Sequence, residues 1–220
     1  MNILEEVKDA GTIGISGHIR PDGDCIGSAM GLYLYLKKVC PMARIEIMLE
    51  KPADIFNCIK GVDEIHTDFT TEIDSFDVFI VVDAAKDRTG EAEKYFDQAK
   101  KTINIDHHVS NSGCGDVNYI VPGASSASEL VYQVMGDRTQ IDEEIAKALY
   151  IGIIHDTGVL QYSNTAPSTL KVVAELISYG FDFSRLIDET FYEKTYVQNQ
   201  ILGRALLESI LFMNGKCIVS

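Results

Sequence analysis

Positive charge is scarce in this chain. Nineteen Lys and Arg stand against thirty-three Asp and Glu over 220 residues, a formal net charge of −14. Broad, sequence-independent binding of duplex DNA needs a basic surface and is not expected. A small phosphorylated substrate stays open, because bound divalent ions would invert the local field. Paired cysteines are missing too: Cys25, Cys40, Cys58, Cys114 and Cys217 are odd in number and none forms a CxxC. A reduced, cytoplasmic protein is the expectation. No apolar run is long enough to span a bilayer, and the acidic segment Met1–Glu6 reads against a signal peptide. No P-loop ending in Gly-Lys-Ser or Gly-Lys-Thr is found, which sets aside a simple nucleotide-triphosphate hydrolase. Internal repeats and low-complexity segments are lacking as well. What is present is an ordinary globular balance of 46% hydrophobic and 24% charged residues, enough for one large domain or one domain with an appendage.

Short apolar runs alternate with helical patterns. Ile13–Ser16 reads as a buried strand, followed by a helix over Cys25–Lys38 with Gly27 and Gly31 on a small-residue face. Arg44–Leu49 alternates with a period of two, as a half-buried strand does. Val78–Val82 is continuously apolar and β-branched, the mark of a central parallel strand, and Thr102–Ile105 resembles it. Helices are expected over Ser126–Met135, Asp142–Ile154, Pro167–Tyr179 and Ser184–Phe191. This alternation predicts an α/β fold: a mostly parallel sheet with helices on both faces. Tyr192–Phe212 then reads as one long, linker-like helix with Val197, Ile201, Leu202, Ala205, Leu206 and Ile210 at helical spacing. Asn214-Gly215 signals a turn, and Lys216–Ser220 looks like the start of a strand that lacks an evident partner.

Ligands of parallel sheets gather at the carboxyl ends of the strands, and the chemistry-bearing residues fall there. His18-Ile19-Arg20-Pro21-Asp22-Gly23-Asp24 packs three potential ligands into seven positions of a tight loop, just before the positive end of a helix. A bare Asp-Gly-Asp is more often a capped helix start; His18 and the preceding strand favour the ligand reading. Asp83 ends the Val78–Val82 strand, where a carboxylate either caps the next turn or bridges two ions. Arg88 is either a phosphate contact or a surface ion pair. Asp106-His107-His108 ends the next strand: His107 as a ligand leaves His108 for a substrate phosphate, with Asp106 fixing a ring tautomer. In Tyr150–Gly158 an apolar helix runs into Asp156, beside which His155 reads as a packing or surface residue. Gly123–Ser128 either offers N–H groups and hydroxyls to an anion or, the plainer reading, starts a helix. Ser163-Asn164-Thr165 looks like a helix N-cap before Pro167. His66, Tyr33 and Tyr35 are read as structural. His18, Asp22, Asp24, Asp83, His107 and Asp156 are thus candidate ligands of one two-metal site, and metal-assisted phosphoester chemistry follows.

These motifs, in this order, resemble the DHH phosphoesterase superfamily, and most of all its bacterial nanoRNase and pAp-phosphatase branch. The likeness rests on His18–Asp24 with Gly27-Ser28, Val82-Asp83 with Arg88, Asp106-His107-His108, and Gly152–Gly158. Ser125–Glu129 and Asp156-Thr157-Gly158 with Tyr162–Thr165 add to it. The resemblance implies one metal on His18, Asp22 and Asp83 and a second on Asp24, Asp83, His107 and Asp156. It implies manganese, which mixed oxygen and imidazole ligands also suit, with Mg²⁺ as the alternative. It implies hydrolysis of short oligoribonucleotides or of 3′-phosphoadenosine 5′-phosphate, with His108, Asp106 and Arg88 as catalytic groups. Pyrophosphate, polyphosphate and cyclic dinucleotides are alternative substrates for the same core. A non-catalytic module that binds a nucleotide or a protein is the alternative of another class. Members of the branch carry a second domain with a glycine-rich substrate loop that this sequence lacks. A catalytic domain over 1–191 is therefore expected, then a linker helix and the start of a missing domain over 192–220, with weak activity. The apolar face of that helix is expected to meet a second domain or a second copy of the chain.

Overall fold

The computed structural model describes residues 1–208, 210–212 and 217–219. A short helix α1 (Ile3–Val7) leads into β1 (Thr12–Ser16), α2 (Gly23–Val39) and β2 (Arg44–Met48). Then come β3 (Val78–Val82), α3 (Glu93–Gln98), β4 (Thr102–Asp106) and β5 (Val117–Ile120). Four helices follow: α4 (Ala127–Val134), α5 (Glu143–Asp156), α6 (Pro167–Ile177) and α7 (Phe183–Ile187). The strands lie in the order β2-β1-β3-β4-β5, all parallel. The expected α/β architecture is therefore present. β5 was not anticipated: it is a four-residue edge strand, half in solvent, whose apolar residues are few and broken by Asn118.

Alternate residues of each strand enter different cores. Ile13, Ile15, Val78, Ile80, Val82, Ile103 and Ile105 pack under the large helical layer of α2, α4 and α5. Phe79 and Val81 face the other way, into a smaller cluster with Phe69, Phe76 and Phe96. Among the described residues that face carries one short α-helix, α3, and the irregular Phe69–Phe76 segment, so the second helical layer is thinner than expected.

The small-residue face of α2 is real. A Cβ on Gly27 would lie 2.6 Å from the Ala148 carbonyl oxygen and from the Gly152 nitrogen of α5, backbone atoms that cannot rotate away. Gly27→Ala is therefore expected to cost about 1–3 kcal/mol of stability by overpacking, read as a lower urea midpoint with an unchanged slope.

The C-terminal part departs from the long helix. One turn of π-helix spans Asp188–Tyr192 after α7, and Glu193 is extended. Helix α8 then runs over Tyr196–Glu208, followed by β6 (Ile210–Phe212) paired antiparallel with β7 (Cys217–Val219). Ile210 thus belongs to a strand and leaves the helical stripe, and β6 is the partner the last strand lacked. Asn214-Gly215 and the ends of Lys216–Ser220 lie outside the described residues. Among the described residues no helix is long and apolar enough to cross a membrane.

Candidate metal centre

Strand order reverses between β1 and β3: the chain leaves β1 for β2 on one side and returns to β3 on the other. A crevice opens at such a switch point, beyond the carboxyl ends of the strands. His18 follows β1, Asp83 follows β3, and Asp106 and His107 close β4, all on that rim. Asp22 and Asp24 flank the first residue of α2, and Asp156 is the last residue of α5.

The six candidate ligands come together. The Nε2 of His18 lies 3.4 Å from Asp83 Oδ2 and 3.6 Å from Asp22 Oδ1. The Nε2 of His107 lies 3.5 Å from Asp83 Oδ1, 3.5 Å from Asp156 Oδ2 and 3.8 Å from Asp24 Oδ2. Asp83 therefore turns one oxygen to each imidazole. All five separations exceed good hydrogen bonds; two atoms each about 2.1 Å from one ion stand roughly 3–3.5 Å apart, as three of these pairs do. Asp83 Oδ1 is buried and has no hydrogen-bond partner, a costly state that a cation would relieve. Its backbone is left-handed at φ +56°, a conformation Asp tolerates better than most residues and one that tends to mark functional positions.

The surroundings hold these groups in place. His18 Nδ1 lies 2.8 Å from the Ile19 carbonyl, so Nδ1–H donates there and Nε2 faces the crevice. Asp22 caps α2 by accepting from the Asp24 and Cys25 N–H groups, so the helix-start reading holds for this side chain, and the same Oδ1 also faces His18 Nε2. Asp24 accepts from Ala127 N at 2.6 Å and Ser128 N at 2.9 Å. The first turn of α4 thus receives this protein's own Asp24 side chain, while Ser126 caps the same helix through Glu129 N. Asp106 Oδ1 accepts from His108 Nδ1 at 2.7 Å, and Asn111 donates to Asp106 Oδ2 at 2.6 Å.

Crowding of acids sets the protonation. Burial opposes charge on His18, but the Asp22 and Asp83 carboxylates outweigh it and hold the ring protonated, far above the ordinary imidazole range. Burial likewise opposes charge on His107, yet Asp83, Asp24 and Asp156 push it up to about 9. Burial, then the charges of Asp83 and Asp156, hold the Asp24 carboxyl well above the carboxylate range. A metal must displace these protons. Mn²⁺ binding is expected to release at least one proton near pH 7, and affinity is expected to rise with pH through the range around 9 in which His107 titrates, His18 still holding its proton there. Calorimetry in buffers of different ionisation enthalpy reads both; a pH-independent affinity would contradict the ligand set.

Other residues resolve differently. Arg88 is exposed, and among the described residues it forms no ion pair; its carbonyl accepts the Ile19 N–H at 2.8 Å, tying β3's loop to the His18 loop. Asn164 does not cap α6, whose N-cap is Ala166. Its amide instead donates to the Ser125 and Asp156 carbonyls at 2.9 and 3.1 Å. His155 packs against aromatic rings, as read. His66 donates to or accepts from nothing in the crevice, its Nδ1 lying against Thr70 O. Tyr33 bonds Glu64 and Tyr35 bonds Asp137, both away from the site. Sequence reasoning missed Asn104, buried in β4, whose amide donates to the Val81 and Ala84 carbonyls and fixes the turn around Asp83. It also missed Cys25, whose Sγ groups with His18 and Asp83. Burial pushes that thiol up to about 11 in the metal-free chain.

The model of the DHH family N-terminal domain matches residues 12–153. The chain belongs to the DHH family. The match takes in every candidate ligand but Asp156, which lies three residues beyond it. This DHH chain is 30% identical over 190 residues to the "Bifunctional oligoribonuclease and PAP phosphatase NrnA" of Bacillus subtilis, covering 84% of the chain and 59% of that relative. It is 29% identical over 227 residues to the protein of the same name from Thermus thermophilus, covering 100% of the chain and 66% of the relative. An exopolyphosphatase-related protein from Bacteroides fragilis superimposes with a TM-score of 0.84 at 25% identity, over 96% of this chain and 65% of that one. The chain thus spans about three fifths to two thirds of the length of the relatives it matches.

Proposed function

We infer that this DHH chain carries the catalytic core of a manganese-dependent phosphoesterase that hydrolyses short oligoribonucleotides, 3′-phosphoadenosine 5′-phosphate, or both. The observation that carries the reading is the shared carboxylate: Asp83 turns Oδ2 to His18 and Oδ1 to His107 across the crevice. His18, Asp22 and Asp83 would hold one ion, and Asp24, Asp83, His107 and Asp156 the other. Nitrogen and oxygen donors without thiolate suit Mn²⁺, with Mg²⁺ the harder alternative. Two such ions, when bound, supply Lewis-acid charge at the phosphate oxygens and an acidified water for an in-line displacement.

The chain's own groups supply the rest. The hydrogen bond that His108 donates to Asp106 raises the His108 pKa against the opposing effect of burial. His108 then keeps Nδ1–H on Asp106 and presents Nε2–H outward, to a phosphate oxygen gaining charge. Arg88, without an ion pair among the described residues, can approach another phosphate oxygen from the neighbouring loop through its planar fork. Water adds across a P–O bond, and the leaving oxygen recovers a proton.

The names of the Bacillus and Thermus relatives support the oligoribonuclease and phosphatase reading. The Bacteroides structure favours a second one, hydrolysis of polyphosphate. A division of the chain into 1–191 and 192–220 is part of the proposal, supported by the extended residue after the π-turn and the exposed apolar residues of α8. A cytoplasmic setting is proposed from the free cysteines, and a second copy of the chain remains a candidate partner for α8. The test is a substrate panel with Mn²⁺: a dinucleotide, 3′-phosphoadenosine 5′-phosphate, pyrophosphate, polyphosphate and a cyclic dinucleotide, assayed on this chain and on one extended past Ser220. Release of mononucleotide or of inorganic phosphate from the first two supports the reading. Turnover confined to the anhydrides replaces it, and no turnover in either protein leaves a binding module.

A further inference from the structure

His155 is adjacent to Asp156 yet belongs to none of the groups of metal-competent donors. Its ring lies against Gly23, the residue between Asp22 and Asp24; a Cβ at position 23 would run into the imidazole. Phe56 packs on the ring at 5.3 Å between centroids and Phe191 at 5.4 Å. The outward nitrogen, Nε2, lies 3.1 Å from Thr190 Oγ1. That hydroxyl donates to the Leu186 carbonyl at 2.7 Å, so toward His155 it accepts, and the ring carries its proton on Nε2.

Thr190 and Phe191 sit in the π-turn, Asp188–Tyr192, from which the chain passes to α8. Single π-turns are strained and concentrate at functional positions. A cleft of about 490 Å³ opens at this joint, between Ile55, Thr190 and Phe191 on the domain and Lys194, Gln198 and Leu202 on the way along α8. Thr190 itself is buried, whereas Tyr196, Val197, Ile201 and Leu206 of α8 are exposed. The start of α8 is therefore fastened to the domain through the π-turn, and the π-turn is fastened to the Asp22–Asp24 loop through one imidazole.

We propose that His155 is a positioning residue that ties the π-turn at the root of α8 to the Asp22-Gly23-Asp24 loop, so that the set of this joint fixes how well the crevice binds divalent metal. The proposal rests on the metal-dependent reading of the site. A hydrogen bond that orients a ligand from behind is commonly worth 10–100-fold in metal affinity; here the bond holds the His155 ring, which acts on the two ligands through its packing on Gly23 between them, so the lower end of that range is expected.

The test compares Mn²⁺ affinity, by calorimetry on the full chain, with melting temperature in EDTA. Thr190→Val removes the acceptor at nearly constant shape and is expected to weaken Mn²⁺ binding about 10-fold, while Thr190→Ser keeps the hydroxyl and restores the affinity. His155→Phe keeps a ring on Gly23 but loses Nε2–H, and the double variant should be no weaker than either single one, because both remove the same bond. A lower melting temperature with unchanged Mn²⁺ affinity in Thr190→Val and His155→Phe overturns the proposal, as do fully additive losses. Absence of Mn²⁺ binding by the unsubstituted chain would instead strike the metal-dependent reading itself.

Discussion

Asp83→Ala is expected to remove both metal sites at once and to lower phosphoester hydrolysis by at least about 10³-fold, the scale of losing a main electrostatic element of a phosphate-handling site. The reason is geometric. Asp83 is the one side chain that approaches both imidazoles, with Oδ2 at 3.4 Å from His18 and Oδ1 at 3.5 Å from His107. Removing any other candidate ligand strips one site; removing Asp83 strips the element the two would share. The fold should survive, since its buried Oδ1 has no hydrogen-bond partner to lose. Alanine does lose the tolerance of Asp for a left-handed backbone at φ +56°, a cost of about 1–2 kcal/mol. Asp83→Asn is the companion variant, because Asn accepts that conformation while offering one oxygen in place of two. Both should bind Mn²⁺ weakly and keep the far-ultraviolet spectrum of the parent. Unaltered stoichiometry and affinity in Asp83→Ala would show that the carboxylate bridges nothing.

The part of this site that could be read from the sequence is the part that strand ends impose. Val78–Val82 is so uniformly apolar that its place at the sheet centre, and the placement of Asp83 at the rim, follow from burial alone. The same holds for His18 after β1 and for Asp106 and His107 at the end of β4. What stayed hidden depends on contacts between distant segments. Nothing local in Ser126–Ser128 says that its N–H groups will receive Asp24, some hundred residues earlier. Ser163-Asn164-Thr165 looks like a cap because Ser, Asn and Thr favour helix N-caps and Pro167 follows; the partners of the Asn164 amide are carbonyls on two other segments. The helix expected through Phe212 failed for another reason. An apolar period of 3.6 over Val197–Leu206 continues by chance onto Ile210, and only the antiparallel pairing with Cys217–Val219 reveals the change of structure.

Asp156→Asn is expected to move stability in opposite directions with and without metal. In the metal-free chain this carboxylate is badly placed three times over. It ends α5, where the helix dipole disfavours a negative charge. Burial and the nearby charge of Asp83 both raise its pKa, against the relief His107 offers. An amide at this position sheds the charge, and the hydrogen bond from Asn164 is untouched because it goes to the backbone carbonyl. In EDTA the variant should therefore melt at or above the temperature of the parent. With Mn²⁺ at 100 times its dissociation constant the parent gains about 2.7 kcal/mol, a rise of roughly 5–10 °C for a chain of this size, and the variant should forgo most of it. Two melting curves for each protein, in EDTA and in Mn²⁺, test the sign of both effects. A variant that melts lower in EDTA and still gains the full metal shift would make Asp156 a structural residue. The reverse crossing would identify a carboxylate that destabilises the empty fold and is retained for the ion it holds.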